Sequence, residues 1–314
     1  MRVLVTGGAG FIGSHLVERL VSEKHEVSVL DSFSTGKREN LDPVRASVAV
    51  HEADVRDAAA VDRATEGCEV VFHEAAVVSV PYSVEHPQET HDVNIQGTLN
   101  VLLAARKNHV RRVVFASSAA IYGEEPTLPK TEAMLPEPIA PYGVEKLTSE
   151  HYLRTFARLY GVETVALRYF NVFGPRQDPS SPYSGVISIF VQRLLANEPL
   201  VIFGDGLQSR DFVYVADVVD ANLRAAVAKG ISGRVYNVAR GERTTLLQLA
   251  DMLGAVVGRT AGPTLAAGRA GDIRHSQAAI DRAREELGYA PRVDLETGLA
   301  ALVDHERRRA PRAD

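Results

Sequence analysis

The chain has 314 residues, 45% hydrophobic and 24% charged, enough apolar material for one large α/β domain or two smaller ones. Lys and Arg number 35 against 40 Asp and Glu, and the net charge of −5 argues against a broad electrostatic surface for nucleic acid. The one cysteine, Cys68, rules out an intrachain disulfide framework and a thiolate zinc cluster, and no metal site is expected.

The chain opens on Met1-Arg2-Val3-Leu4-Val5-Thr6-Gly7, without a signal peptide's apolar segment, and no later apolar run approaches the ~18 residues of a membrane helix. The expectation is a cytoplasmic protein with no membrane partner. Short β-branched runs recur at Val3–Val5, Val27–Leu30, Val70–Phe72, Val113–Phe115 and Val165–Leu167. They are continuous rather than alternating, as parallel strands covered on both faces require. Between them, Ile12, Leu16 and Leu20 form one helical stripe, and Ile95, Leu99, Leu102 and Leu103 another. Strand alternating with helix predicts right-handed βαβ units, so the fold class is α/β with a parallel sheet.

From Asn171 to Gly185 the chain is rich in turn formers and reads as loop. A helix is predicted around Ile187–Ala196, a strand at Leu200–Phe203, a helix at Val215–Ala228 and a strand at Val235–Val238. Residues 1–168 are read as a nucleotide-binding domain and residues 169–314 mainly as a smaller, loop-rich domain over the sheet's carboxyl edge. The strand near Val235 is expected to return to the main sheet. The basic tail after His305 reads as a solvated terminus.

Gly7, Gly10 and Gly13 follow the first strand and open the first helix. Glycines there permit a tight turn and let backbone approach a pyrophosphate, which then sits on the helix's positive end. Asp31 ends the second strand, where a carboxylate accepts from ribose hydroxyls and repels a 2′-phosphate, favouring NAD over NADP. Lys37 and Arg38 nearby keep a 2′-phosphate in play. Asp54 and Val55 close the next strand at the adenine edge, and Asp57 reads as the N-cap of a helix at Ala58–Ala64.

Tyr142 and Lys146 are four apart, on one face of a helix. A phenol with a pKa of ~10 is a weak base near neutrality. A neighbouring ammonium and a cationic nicotinamide are expected to lower it. Ser117 and Ser118 end the strand that begins at Val113, where a site would lie, although turn hydrogen bonding explains such serines equally.

In this order, glycines, strand-end serines and the Tyr/Lys pair resemble the extended short-chain dehydrogenase/reductase family, with its Rossmann-type doubly wound sheet. Within it the chain is similar to the NAD-dependent nucleotide-sugar 4-epimerases of the UDP-glucose/UDP-N-acetylglucosamine type. The resemblance runs from Thr6-Gly7-Gly8-Ala9-Gly10-Phe11-Ile12-Gly13 through His73-Glu74-Ala75-Ala76 and Asn94. It continues in Ser117-Ser118, Tyr142–Lys146, Arg168–Pro175, Arg210-Asp211-Phe212 and Arg269–Asp272. It implies that Tyr142 takes the proton from the sugar O4, that Ser118 bonds O4, and that Lys146 holds the nicotinamide ribose. It also implies that Phe11, Ile12, Ala75, Ala76, Asn94, Ser117 and Tyr169 line the cofactor. Ser79, Asn171, Val186, Arg210, Arg269, Asp272 and Ser276 are implied to line the UDP-sugar. For Arg210 the alternative is an ion pair with Asp205 or Asp211.

Dehydratases and decarboxylases of this family carry an acid beside the strand-end serine, where this chain has Ala119 and Ala120. Two methyl groups supply no proton transfer. Epimerisation is therefore expected, with the small Ser276 at the position that gates the sugar's 2-substituent and so admits an acetamido group. A UDP-glucuronate or dTDP-hexose epimerase, or a non-catalytic NAD-binding scaffold, are the rival readings. The resemblance further implies a homodimer through helices around Asn94–Arg106 and Tyr142–Leu159. Glu74 stands where the family commonly has leucine.

Overall fold

Continuous apolar runs make stable strands only when helices cover both faces, and the chain order supplies those helices. The computed structural model describes residues 1–178, 185–259, 262–268 and 273–309. Its first half runs β1 (Arg2–Thr6), α1 (Phe11–Ser22), β2 (Glu26–Asp31), β3 (Val48–Glu52), α2 (Ala58–Thr65) and β4 (Val70–His73). It continues with α3 (Val80–Glu85), α4 (Pro87–His91), α5 (Gly97–Lys107), β5 (Arg112–Ser118), α6 (Pro141–Tyr160) and β6 (Glu163–Tyr169). Next come β7 (Asn171–Phe173), α7 (Val186–Leu195), β8 (Val201–Phe203), β9 (Ser209–Arg210), β10 (Phe212–Tyr214) and α8 (Val215–Val227). The last elements are β11 (Arg234–Val238), β12 (Thr244–Thr245), α9 (Leu246–Val257), β13 (Thr264–Ala266), α10 (Asp281–Leu287) and α11 (Leu295–Arg309).

Seven of these strands form one parallel sheet in the order β11-β6-β5-β4-β1-β2-β3. The chain winds outward from β1 in both directions, which leaves a crevice at the carboxyl ends beside β1 and β4. The strand containing Val235 does return, as the edge partner of β6. The strand expected to close at Asp54 and Val55 is β3, which ends earlier, at Glu52; it is an edge strand with a largely exposed, partly charged sequence and so lacks a buried strand's apolar run.

Side-chain alternation divides the core. Val3 and Val5 pack with Leu16, Val17, Val218 and Tyr236 on one face. Leu4 packs with Val71, Val101, Leu102, Leu153 and Phe156 on the other. A separate cluster of Phe173, Phe190, Leu249, Leu253, Leu299 and Leu302 holds the second half together. The predicted Ile95–Leu103 stripe is rephased, because a wide π turn spans Asp92–Gln96 before α5. Leu102 is buried while Leu103 is 46% exposed. Asp57 caps α2 as expected, accepting from the Ala59 and Ala60 amides at 3.0 Å each. Among the described residues no helix is long and apolar enough to cross a membrane.

Helix α6 is fixed to the sheet by a buried polar chain. Arg168 of β6 makes a two-pronged bond to Glu150, at 2.9 and 2.7 Å, and donates to the Tyr122 hydroxyl at 2.9 Å. Ser117 donates to Glu150 at 2.6 Å, and Tyr122 donates to Asn237 of β11 at 2.7 Å. Removing one member strands a buried charge, which costs about 3–5 kcal/mol, whereas replacing both charges with apolar groups can be nearly neutral. Arg168→Leu is therefore expected to lower stability by about that amount, and Arg168→Leu/Glu150→Leu to recover much of it. Urea denaturation midpoints of the two variants measure the difference.

Candidate active site

The glycine turn between β1 and α1 is built by close backbone approach. Gly7 has φ +69°, and a Cβ there would stand 2.7 Å from the Ala75 amide nitrogen. A Cβ on Gly13 would fall 2.1 Å from the Gly7 carbonyl oxygen. Gly10 differs, since its Cβ would meet only that same carbonyl, at 3.1 Å, and otherwise enter open space. Helix α1 has no side-chain cap and no acidic residue in its first turn, so its positive end is left for an anion. Phe11 and Ile12 open this helix, half-buried. The turn therefore fits a dinucleotide diphosphate.

Asp31 stands at the end of β2 beside the turn, and its two oxygens accept from the Ala9 and Phe33 amides at 2.9 and 2.8 Å. Burial raises its carboxyl above the usual range, against those two bonds. Each oxygen retains a lone pair for a ribose hydroxyl. Lys37 and Arg38 pair with Asp178 and Glu52, at 3.4 and 2.6 Å, instead of leaving a free cationic pair for a 2′-phosphate. Asp54 is bound in two prongs by Arg56. The Val55 side chain is buried, and Gly97 lies against it so closely that a Cβ there would be 2.7 Å from Val55 Cγ2; only the Val55 backbone can face an adenine.

At the carboxyl edge of β5, the Ser118 hydroxyl accepts from the Ala120 amide at 3.1 Å and lies beside the Tyr142 phenol. Lys146, one helical turn on, reaches past the Phe115 ring to donate to the Ala116 carbonyl at 2.7 Å. Its ammonium is 5.8 Å from the Tyr142 ring centre. Burial lowers Lys146 to about 8, against the pull of Glu74, Glu145 and Glu150. The expected lowering of Tyr142 is not present in the protein alone. Burial pushes the phenol up to about 12, the Ser118 bond opposes this, and Glu145 adds to it.

Two predicted cofactor residues turn their side chains inward. Ser117 spends its hydroxyl on Glu150. Asn94, in the π turn, accepts from the Val77 amide at 2.8 Å and donates to the Val77 carbonyl and to Glu145. Both therefore shape the groove rather than present polar side chains to it, because adjacent strand residues face opposite ways and the π turn directs Asn94 into the fold. Ala75 and Ala76 continue from the end of β4 beside the Gly7 backbone. Tyr169 donates to Glu74 at 2.8 Å and accepts from Asn222 of α8 at 2.7 Å. Glu145 accepts from Thr90 and Asn94 at 2.7 Å each, and His73 is held between Thr6 and Thr98. The roles of Glu145, Glu150 and Asn222 carried no sequence signal beyond the four-residue spacing of Glu150 from Lys146.

Backbone pairing gathers several residues of the second half. The Asn171 amide donates to the Asp211 carbonyl at 3.1 Å, and the Ser276 amide to the Ser209 carbonyl at 3.0 Å, so both flank Arg210. Asp205 is bound in two prongs by Arg274, and Asp211 accepts from the Arg240, Gly241 and Ala278 amides. Arg210 donates to the Ser209 carbonyl at 3.0 Å. Ser79 caps α3 by accepting from the Tyr82 amide, and Val186 begins α7, half-buried. Arg269 and Asp272 lie outside the described residues.

The profile of the NAD-dependent epimerase/dehydratase family matches residues 3–239. The UDP-glucose 4-epimerase of Mycolicibacterium smegmatis is 41% identical over 314 residues, covering 99% of this chain and 100% of that one. The crystal structure of UDP-glucose 4-epimerase from Thermotoga maritima with UDP-glucose superposes with a TM-score of 0.95 at 41% identity, covering 99% and 100% of the two chains. The UDP-N-acetylglucosamine 4-epimerase of Methanobrevibacter ruminantium, complexed with UDP-N-acetylmuramic acid, gives 0.94 at 39% identity over 98% of both.

The two glycine positions make different predictions. Gly10→Ala should stay within about 1 kcal/mol of the parent in stability while weakening NAD binding at least ~10-fold, since its methyl enters the cradle. Gly13→Ala should lose several kcal/mol as well, of order 3, because backbone must move. Thermal unfolding of the cofactor-free protein and NAD titration separate the two.

Proposed function

The chain belongs to the NAD-dependent epimerase/dehydratase family, and we propose that it interconverts UDP-hexoses at C4, both UDP-glucose/UDP-galactose and their N-acetylamino counterparts. The observation that carries this reading is the Ser118–Tyr142–Lys146 arrangement on the carboxyl edge of β5, facing the glycine cradle across one crevice. When bound, NAD supplies the acceptor and donor of the hydride exchanged at C4. Tyr142 removes the O4 proton and later returns it. Ser118, beside the phenol at the end of β5, aligns that oxygen with the sugar hydroxyl. Lys146 anchors the ribose side and supplies positive charge.

Residues 1–168 with β11 serve the cofactor in this reading, and the remainder serves the sugar nucleotide. Asn171 and Arg210 hold the diphosphate, near Ser276, while the hexose itself is held loosely enough to turn over between the two hydride transfers. Ala119 and Ala120 leave the turn after β5 without an acid, which supports epimerisation over dehydration. A small residue at Ser276, and 39% identity to an N-acetylglucosamine-type epimerase, support the wider substrate range. Leu103, Val144 and Leu159 expose apolar surface on α5 and α6, which supports pairing of these helices in a homodimer.

Tyr142→Phe should keep NAD and the fold but lower kcat by about 10³, within the range for losing a general base. NMR of mixtures with UDP-galactose and UDP-N-acetylgalactosamine measures this, and turnover of the parent on one sugar alone would narrow the substrate claim. Light scattering should give twice the 34.0 kDa chain mass.

A further inference from the structure

Glu74 has a defined place that the proton transfer at O4 does not use. It follows His73, the last residue of β4, and its carboxylate accepts from Tyr169 at the end of β6. His73 is in register with Phe115, and Ser118 with Tyr169, so the Glu74–Tyr169 bond spans the end of β5. On that same strand end, Lys146 donates to the Ala116 carbonyl and Ser118 lies beside the Tyr142 phenol. On its other side, the Glu74 backbone borders the glycine cradle, since a Cβ on Gly7 would lie 3.0 Å from the Glu74 carbonyl carbon. Glu74 thus stands between the cradle and the Tyr/Lys pair, along the path a dinucleotide must take from one to the other.

Resting on the NAD reading of this site, we propose that Glu74 is the counter-charge for the cationic ring of oxidised NAD and biases the site toward NAD+ over NADH. A carboxylate there opposes one positive charge that exists in the oxidised cofactor and is absent from the reduced one. At an effective dielectric near 20, opposite charges several ångströms apart are worth enough to shift this preference about tenfold or more. The bias favours return of the hydride to the ketone over stranding the site in its reduced form.

Burial pushes Glu74 up to about 7, opposed by the Tyr169 bond and the Lys146 charge. The groups facing it are Tyr169 from β6 and Lys146 from α6. Asn222 of α8 carries no charge, and neither do Gly7 and Ala116, the residues next in register on β1 and β5. His73 on its own strand is turned to Thr6 and Thr98, and burial lowers it to about 3. Raising pH through about 7 ionises Glu74, so the preference for NAD+ grows with pH there. Lys146 adds a separate rise near 8 as it loses its charge.

The test is the reduction potential of the bound NAD+/NADH couple in the holoprotein, read by near-ultraviolet absorbance against a redox dye. Glu74→Gln keeps an acceptor for Tyr169 and removes only the charge. The expected result is a potential about 30 mV more positive at pH 8, equivalent to tenfold, and loss near pH 7 of the slope in excess of the couple's own about 30 mV per pH unit. Unaltered protein scanned from acid to alkaline pH gives the same answer without a variant: a slope that stays at the about 30 mV per pH unit required by the couple's own proton all through pH 7 overturns the proposal. A potential unmoved by Glu74→Gln overturns it equally. Absence of any bound dinucleotide, before or after refilling, overturns the NAD reading itself and this proposal with it.

Discussion

A buried ammonium sets the terms for this site. Lys146 is 3% exposed, and an unpaired charge so placed would be prohibitively costly. It is held by the Ala116 carbonyl and surrounded by the carboxylates of Glu74, Glu145 and Glu150. Those carboxylates need partners in turn. Thr90 and Asn94 serve Glu145, Arg168 and Ser117 serve Glu150, and Tyr169 serves Glu74. The polar interior between α6 and the sheet is one connected network, and Tyr142 sits at its open end.

This network separates two requirements. The fold must keep α6 rigid against β5, so that Ser118 meets the Tyr142 phenol. The chemistry must leave the phenol far from its useful range until a positive cofactor ring arrives. Burial, with Glu145 nearby, holds Tyr142 near 12 without the cofactor. The glycine turn offers backbone and the uncapped end of α1 to an anion. A chain of net charge −5 can bind two diphosphates because neither needs a broad basic surface.

Much of this was legible before the fold was seen. The glycine spacing, Asp31, the Tyr142/Lys146 pair and the parallel strands all follow from local rules of turn, helix and strand. Side-chain direction was less accessible. Ser117 and Ser118 are neighbours on β5, yet only Ser118 faces the crevice, because successive strand residues point to opposite faces. The same alternation sends His73 toward Thr98 and Glu74 toward Tyr169. The direction of the Asn94 side chain is set by a π turn, which helical periodicity does not reveal. Edge strand β3 gave no apolar signal, since little of it is buried. Burial of the phenol, which raises it, is likewise a property of the packed fold and not of the Tyr/Lys spacing.

The central claim is that hydride leaves C4 and returns to the same carbon within one site. UDP-glucose carrying deuterium at C4, incubated with the purified protein and followed by NMR, tests it directly. The account predicts UDP-galactose with the label retained at C4 and no exchange with solvent. Washout of the label into water, or epimer formed with protium at C4, would contradict it.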